Sequence, residues 1–164
     1  MESSNKNFAM NILARQLKDC SSNEELGASV GLENDDDLFK WNVIFEGPEN
    51  TIYEGGYFKA ILEFPDDFPN NPPVMTFKTK MFHPNIYTDG KVCISILHAP
   101  GQDAMNASEK PEERWRPIIG VEAILMSVIS MLNDPNIDSP ANLDASVMFR
   151  DNRESYNKEV RRLA

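Results

Sequence analysis

The sequence predicts an α+β fold: an N-terminal helix, a four-stranded antiparallel meander, a central buried helix and two C-terminal helices. Three observations carry that expectation. Apolar residues recur at helical spacing near the N-terminus and again after residue 117. Between these stretches lie β-favouring apolar segments joined by short Gly, Pro and Asn connections with no helix among them, which is the pattern of an antiparallel meander. The length, 164 residues, suits one domain spanning residues 1–164, large enough to bury its core without covalent staples.

Each element follows from local chemistry. From Asn5 to Cys20, residues Met10, Leu13, Ala14 and Leu17 share one helical face, while Lys6, Gln16 and Lys18 occupy others. The polar run Asn34-Asp35-Asp36-Asp37 marks a turn between strands. Gly27–Leu32 forms a weaker first strand, followed by Leu38–Glu46, Tyr57–Phe64 and Val74–Phe77. Four prolines between Pro65 and Pro73 exclude regular structure there and leave a stiff, ordered loop. His83–Arg116 is long for a connection inside a compact domain, and loops beyond about 12–15 residues tend to be functional or disordered. The run from Pro117 to Leu132 is apolar on nearly every side and predicts a buried central helix. Asn133–Asn136 ends it. A short helix then starts with Ser139 as N-cap and Pro140 at its first position, and the last helix opens on a capping-box-like Asp151-Asn-Arg-Glu154.

Composition narrows the function. The net charge is −10, and residues 21–149 alone hold eight basic against twenty-one acidic side chains. That balance argues against nucleic acid as a partner, because affinity for phosphate backbones comes largely from Lys and Arg. No apolar run reaches the length of a membrane span, and the opening Met-Glu-Ser-Ser-Asn-Lys lacks a signal-like pattern. A soluble, intracellular chain with reduced thiols is expected. Cys20, His83, Cys93 and His98 do not form two closely spaced ligand pairs, so no structural metal is expected. Cys20 reads as a packing residue at the edge of the first helix.

Cys93 stands in Asp89-Gly90-Lys91-Val92-Cys93-Ile94-Ser95-Ile96-Leu97, eight residues after Asn85 in His83-Pro84-Asn85. A cysteine among Val and Ile is commonly a small buried hydrophobe. Here the Asp-Gly turn and the irregular His-Pro-Asn stretch set it beside a side-chain amide in a long ordered loop, where an exposed thiol meets a large substrate.

These residues resemble the ubiquitin-conjugating enzymes. The likeness extends to Phe64-Pro65-x-x-Phe68-Pro69-x-x-Pro72-Pro73, Trp115-x-Pro117, Asp134-Pro135-Asn136 and Asp151-Asn152-Arg153-Glu154-Ser155-Tyr156, in order and at the family's spacings. The resemblance implies the ubiquitin-conjugating fold. It also implies that Cys93 accepts ubiquitin as a thioester from the activating enzyme and passes it to a lysine amine of a substrate or of another ubiquitin, together with a ligase. No cofactor is held stably, since ATP is consumed upstream by the activating enzyme. Exchange of one thioester for another is nearly thermoneutral and requires no Cys–His pair. Aminolysis is harder, because a lysine near pKa 10.4 must lose a proton and an oxyanion must form.

By the same resemblance, Asn85 either donates to that oxyanion or holds the neighbouring loop. His83 and Pro84 shape the loop structurally, with acid–base work as the alternative for His83. Ser139 matches the position that orients the incoming lysine, and Asp138 is its acidic neighbour; both could instead merely cap the following helix.

The twenty-one residues between Cys93 and Trp115 exceed what most members carry. His98-x-Pro100-Gly101-x-Asp103 and Glu112-Glu113-Arg114-Trp115 resemble a subgroup with an acidic insertion, here about residues 98–114. That subgroup includes conjugating enzymes of endoplasmic-reticulum-associated degradation and of the cell cycle, and its members typically build degradative chains. Asp103, Glu109, Glu112 and Glu113, with His98, would lie over the cysteine and attract a basic acceptor surface. A solvated loop without catalytic role is the alternative. Ala104–Ser108 departs from the subgroup by lacking aromatic residues.

Lys6, Arg15 and Lys18 of the first helix match the surface that meets the activating enzyme. The ligase site is completed by the loop Phe68–Asn71, with Asn70 where many members carry a large apolar residue, and by Arg116, Pro117 and Ile118. The implied location is the cytoplasm, the nucleus or the cytosolic face of the endoplasmic reticulum, without membrane insertion. Three alternatives remain open: a conjugating enzyme for a ubiquitin-like modifier, a non-catalytic binding variant, and a cysteine hydrolase using Cys93 with His98 or His83. Hydrolysis needs an imidazole near the sulfur. Five extended residues would carry His98 about 15 Å away.

Overall fold

In the computed structural model, which describes residues 2–101 and 109–164, the chain runs α1 (Glu2–Ser22), β1 (Ala28–Leu32), β2 (Lys40–Glu46), β3 (Tyr57–Glu63), β4 (Val74–Phe77), α2 (Val121–Asn133), α3 (Leu143–Asp151) and α4 (Arg153–Leu163). The four strands form one antiparallel sheet in the order β1-β2-β3-β4, as the meander pattern predicts. Alternation sets the faces: Trp41, Val43 and Phe45 of β2 point into the core with Phe58, Ala60 and Leu62 of β3, while Ile44 and Tyr57 face solvent.

Two helical faces differ from expectation. In α1 the buried residues are Ala9, Leu13 and Cys20, with Met10 and Ala14 exposed, so the helix is rotated relative to the face read from its apolar periodicity. The reason is tertiary. Gln16 must point at the start of α2, where its Oε1 accepts from the Val121 N–H at 2.6 Å and supplies the cap that Gly120 cannot. In α2 itself Val121, Ile124, Leu125, Val128, Met131 and Leu132 are buried, but Met126 is 60% exposed, so one face stays open. Pro117–Gly120 precedes the helix instead of opening it.

The two C-terminal helices also start later than predicted. Asn142, not Ser139, caps α3 by accepting from the Ala145 N–H at 3.0 Å. Residues 141 and 142 stay outside the helix, and both their N–H groups donate to the Pro84 carbonyl. Asn152 ends α3 and caps α4 by accepting from the Ser155 N–H at 3.2 Å, while Asp151 pairs with Arg150.

A file of rings, Trp41–Phe64–Phe68–Trp115, runs from the sheet to the far end of the long connection with centroid spacings of 4.9, 4.9 and 5.7 Å. The Trp115 indole N–H donates to the Pro69 carbonyl at 2.8 Å, which ties the proline loop to the same point. Phe68 is therefore core and 1% exposed, which removes it from the surface offered to a ligase.

Candidate active site

Cys93 is delivered by a hairpin laid against the edge of β4. Thr76 bridges to Lys91 and Ile86 to Val92, while the Val92 N–H donates to the Met75 carbonyl and the Phe77 N–H to that of Gly90. Gly90 is obligatory there: its φ is +99°, and a Cβ would sit 2.2 Å from the Phe77 carbonyl oxygen. The Cys93 N–H then donates to the Asn85 carbonyl at 2.8 Å, which fixes the thiol beside the His-Pro-Asn loop.

On one side of the sulfur the polar groups are closed on one another. His83 is fully buried, with Nε2–H donating to the Met131 carbonyl at 2.7 Å and Nδ1 accepting from the Asn85 N–H at 3.0 Å. Burial pushes its ring down to about 4, so it is neutral near pH 7 with both nitrogens occupied. Asn85 is 3% exposed. Its amide closes a two-bond bridge to residue 136, Nδ2–H to the Asn136 carbonyl and Oδ1 from the Asn136 N–H, each 2.8 Å. That pairing fixes the amide orientation and fastens the loop carrying Asp138 and Ser139. Those two residues are exposed and line the same groove as Cys93, and neither caps a helix.

The other side corrects the sequence reading. His98 Nε2 lies 3.5 Å from Cys93 Sγ, not some 15 Å away. Ser95–Leu97 forms a 3₁₀ turn, whose rise of about 2.0 Å per residue folds the segment back on itself. The Trp115 N–H donates to the His98 carbonyl at 3.0 Å and pins the turn from across the insertion. His98 Nδ1–H in turn meets both carboxylate oxygens of Glu109 at 2.9 Å, and Arg114 Nε stands 3.3 Å from the same carboxylate. The His98 hydrogen bond holds the Cys93 thiol below its ordinary value against the upward push of burial, and the bond to Cys93, aided by Glu109, raises His98. Tyr87 is raised chiefly by the charge of Cys93.

Of the acidic insertion, Glu109 joins this chain and Glu112 and Glu113 are exposed; Asp103 and Ala104–Ser108 lie outside the described residues. Sequence reasoning missed the roles of Arg114 and of the Pro84 carbonyl. A charged residue directly before a buried Trp signals a need for a partner, but nothing local identifies Glu109 as that partner. Arg15, Lys18, Asn70, Arg116, Pro117 and Ile118 are exposed, Ile118 at 83%. Among the described residues there is no cluster of three or more His, Cys, Asp or Glu side chains suited to a metal, and no helix is long and apolar enough to cross a membrane.

The groove has a volume of about 850 Å³ and runs from Tyr87 and His98 past Cys93 to Met126, Ser130 and Pro140. A thiol so placed can form an acyl-sulfur bond within reach of an incoming nucleophile, and the geometry alone fits transfer to an amine or to water. Kinship separates the two. A model of the ubiquitin-conjugating enzyme family matches residues 12–164. The chain is 53% identical over 149 residues to the probable ubiquitin-conjugating enzyme E2 7 of Caenorhabditis elegans, covering 91% of this chain and 90% of that one. It is 51% identical over 152 residues to ubiquitin-conjugating enzyme E2 15 of Schizosaccharomyces pombe, covering 93% and 90%. The solved structure of human ubiquitin-conjugating enzyme E2 G1 is 50% identical and superposes with a TM-score of 0.68, covering 77% of this chain and 96% of that one. With the family match running from the middle of α1 through the sheet, the groove and the later helices, the chain belongs to the ubiquitin-conjugating enzymes and is a transferase of that kind.

Proposed function

We propose that Cys93 is the residue that carries ubiquitin, as a thioester received from the activating enzyme, and that the acceptor is a lysine amine of a substrate or of another ubiquitin. The observation that carries this reading is the half-buried Cys93 thiol at the foot of the groove, hydrogen-bonded to His98 and flanked by the bridge from Asn85 to Asn136. Asn85 acts mainly by holding that bridge, with its second Nδ2 hydrogen left for an oxyanion. Asp138 and Ser139, on the facing wall, orient the amine.

Membership of the acidic-insertion subgroup and the building of degradative chains are supported by Glu109, Glu112 and Glu113 around and beyond the thiol. The exposed Arg15 and Lys18 face the activating enzyme, and Asn70, Arg116, Pro117 and Ile118 face a ligase. The enzyme works in the cytoplasm or nucleus, or at the cytosolic face of the endoplasmic reticulum.

Incubation with ubiquitin, activating enzyme and ATP tests the reading. Wild type should form an adduct that thiol reductants release, and Cys93→Ser one that they do not. An adduct that persists in Cys93→Ala would overturn the assignment. The Cys93–His98–Glu109 chain also favours a second activity, hydrolysis, which predicts isopeptide release by wild type that His98→Ala abolishes.

A further inference from the structure

The chain has two histidines, and only one of them can move a proton. His83 is sealed, with both ring nitrogens engaged. His98 has its Nδ1–H held by Glu109 at 2.9 Å, and that bond selects the tautomer whose Nε2 lone pair faces Cys93 Sγ. Glu109 also forms an ion pair with Arg114, whose Nε stands 3.3 Å from its carboxylate and whose side chain is 8% exposed. The sulfur is thus lined up with an imidazole, a carboxylate and a guanidinium.

We propose that His98 is a catalytic residue that carries the proton in both half-reactions, and that Glu109 is a positioning residue acting through it. This rests on Cys93 being the acyl carrier. In charging, the Cys93 S–H proton passes to Nε2 as the sulfur attacks the carbonyl of the incoming thioester. The new S–C bond forms, the bond to the activating enzyme's sulfur breaks, and that leaving thiolate takes the proton from the imidazolium. In discharge, a neutral lysine amine attacks the Cys93 thioester and the C–N bond forms. Nε2 takes the proton from the now cationic nitrogen. The C–S bond then breaks, and the proton returns to Sγ, leaving an amide, a free thiol and a neutral imidazole. Nothing else is consumed.

Acylation also prepares the base. The hydrogen bond that the protonated His98 ring donates to the Cys93 sulfur is the foremost cause of its raised affinity for the proton, and a thioester sulfur accepts that bond far more weakly than a thiolate. The imidazole of the charged enzyme is therefore more often neutral than that of the free enzyme, which is the state an amine needs. The groups facing this pair are Tyr87 beside the sulfur, Glu109 and Arg114 from the insertion, and Glu113, Asp134 and Asp138 around the same groove.

The test uses the full chain with ubiquitin, activating enzyme and ATP. Single-turnover discharge of the purified thioester to free lysine is followed from about pH 6 to about pH 9, spanning the ionisation range of imidazole. Wild type should show an inflexion in that range. His98→Gln should discharge on the order of 10²-fold more slowly at neutral pH, within the span typical of a lost general base. Glu109→Gln should keep the inflexion but move it to lower pH, because a carboxylate that raises His98 is gone. Alkylation of the uncharged thiol should need higher pH in His98→Gln than in wild type. A normal adduct with an unchanged discharge rate and pH profile in His98→Gln would overturn the proposal and leave Cys93 in place. Absence of a Cys93-dependent adduct in wild type would instead overturn the underlying assignment. Should His98→Gln not fold, the wild-type profile decides alone: a rate that rises steadily with pH and has no inflexion refutes the role.

Discussion

The two walls beside Cys93 are built on opposite principles. The wall of His83 and Asn85 is buried and neutral, and each of its side-chain hydrogen bonds ends on backbone. The wall of His98, Glu109 and Arg114 is ionic: His98 is hydrogen-bonded to the sulfur and to Glu109, and Arg114 Nε stands 3.3 Å from the same carboxylate. A backbone partner gives fixed geometry but no chemistry. A side-chain partner can change protonation state, and with it the reactivity of the thiol. The first wall should therefore be felt mainly in stability and the second mainly in rate.

His83→Ala should test that division most severely. It removes two buried hydrogen bonds and leaves a cavity, so the unfolding free energy measured in urea should fall by about 3 kcal/mol. The pH dependence should separate the two histidines next. His83 titrates near 4 in the native protein and near 6.5 when unfolded, so the unfolded chain binds the proton first as pH falls. Stability from this residue is whole above about pH 6.5 and declines toward pH 4 by up to about 3 kcal/mol, and His83→Gln should flatten that slope. His98 has the opposite sign: its affinity is raised by folding, so its contribution is whole at low pH and lost as pH rises through the native value.

Asn85→Ala should come third, costing about 1–2 kcal/mol because Asn136 is exposed enough for water to replace the lost partners. Its effect on lysine discharge, if larger than that of loosening the loop by other substitutions, would bring the ionic and neutral walls closer in role. Asp138→Asn and Ser139→Ala should change stability by less than about 0.5 kcal/mol, since neither residue caps a helix, while slowing lysine discharge. A clear loss of stability in either would mean that this loop belongs to the structural wall after all.

The sheet was legible because alternation and turn chemistry act between neighbours in the chain, as in Trp41–Val43–Phe45. The thiol was legible because its motif is local too. What escaped depends on bonds between distant residues. α3 starts three residues later than its local signals suggest, where Asn142 is the cap and the N–H groups of Ala141 and Asn142 reach across to the Pro84 carbonyl. The face of α1 was misread because Gln16 serves α2. His98 was misplaced because a 3₁₀ turn, and a bond from Trp115, override the extended geometry that local apolar residues suggest.

That last bond, from the Trp115 amide to the His98 carbonyl, makes the insertion a detour whose exits stand side by side. The entry and exit of the detour are thus held together at one place, and closing a loop of twice the length costs only about 0.6 kcal/mol more. The length of the detour can therefore change at little cost in closure entropy. What each such change would alter is the ion presented to His98, so that here a family can tune a shared nucleophile by inheritance of a loop and without touching the nucleophile itself.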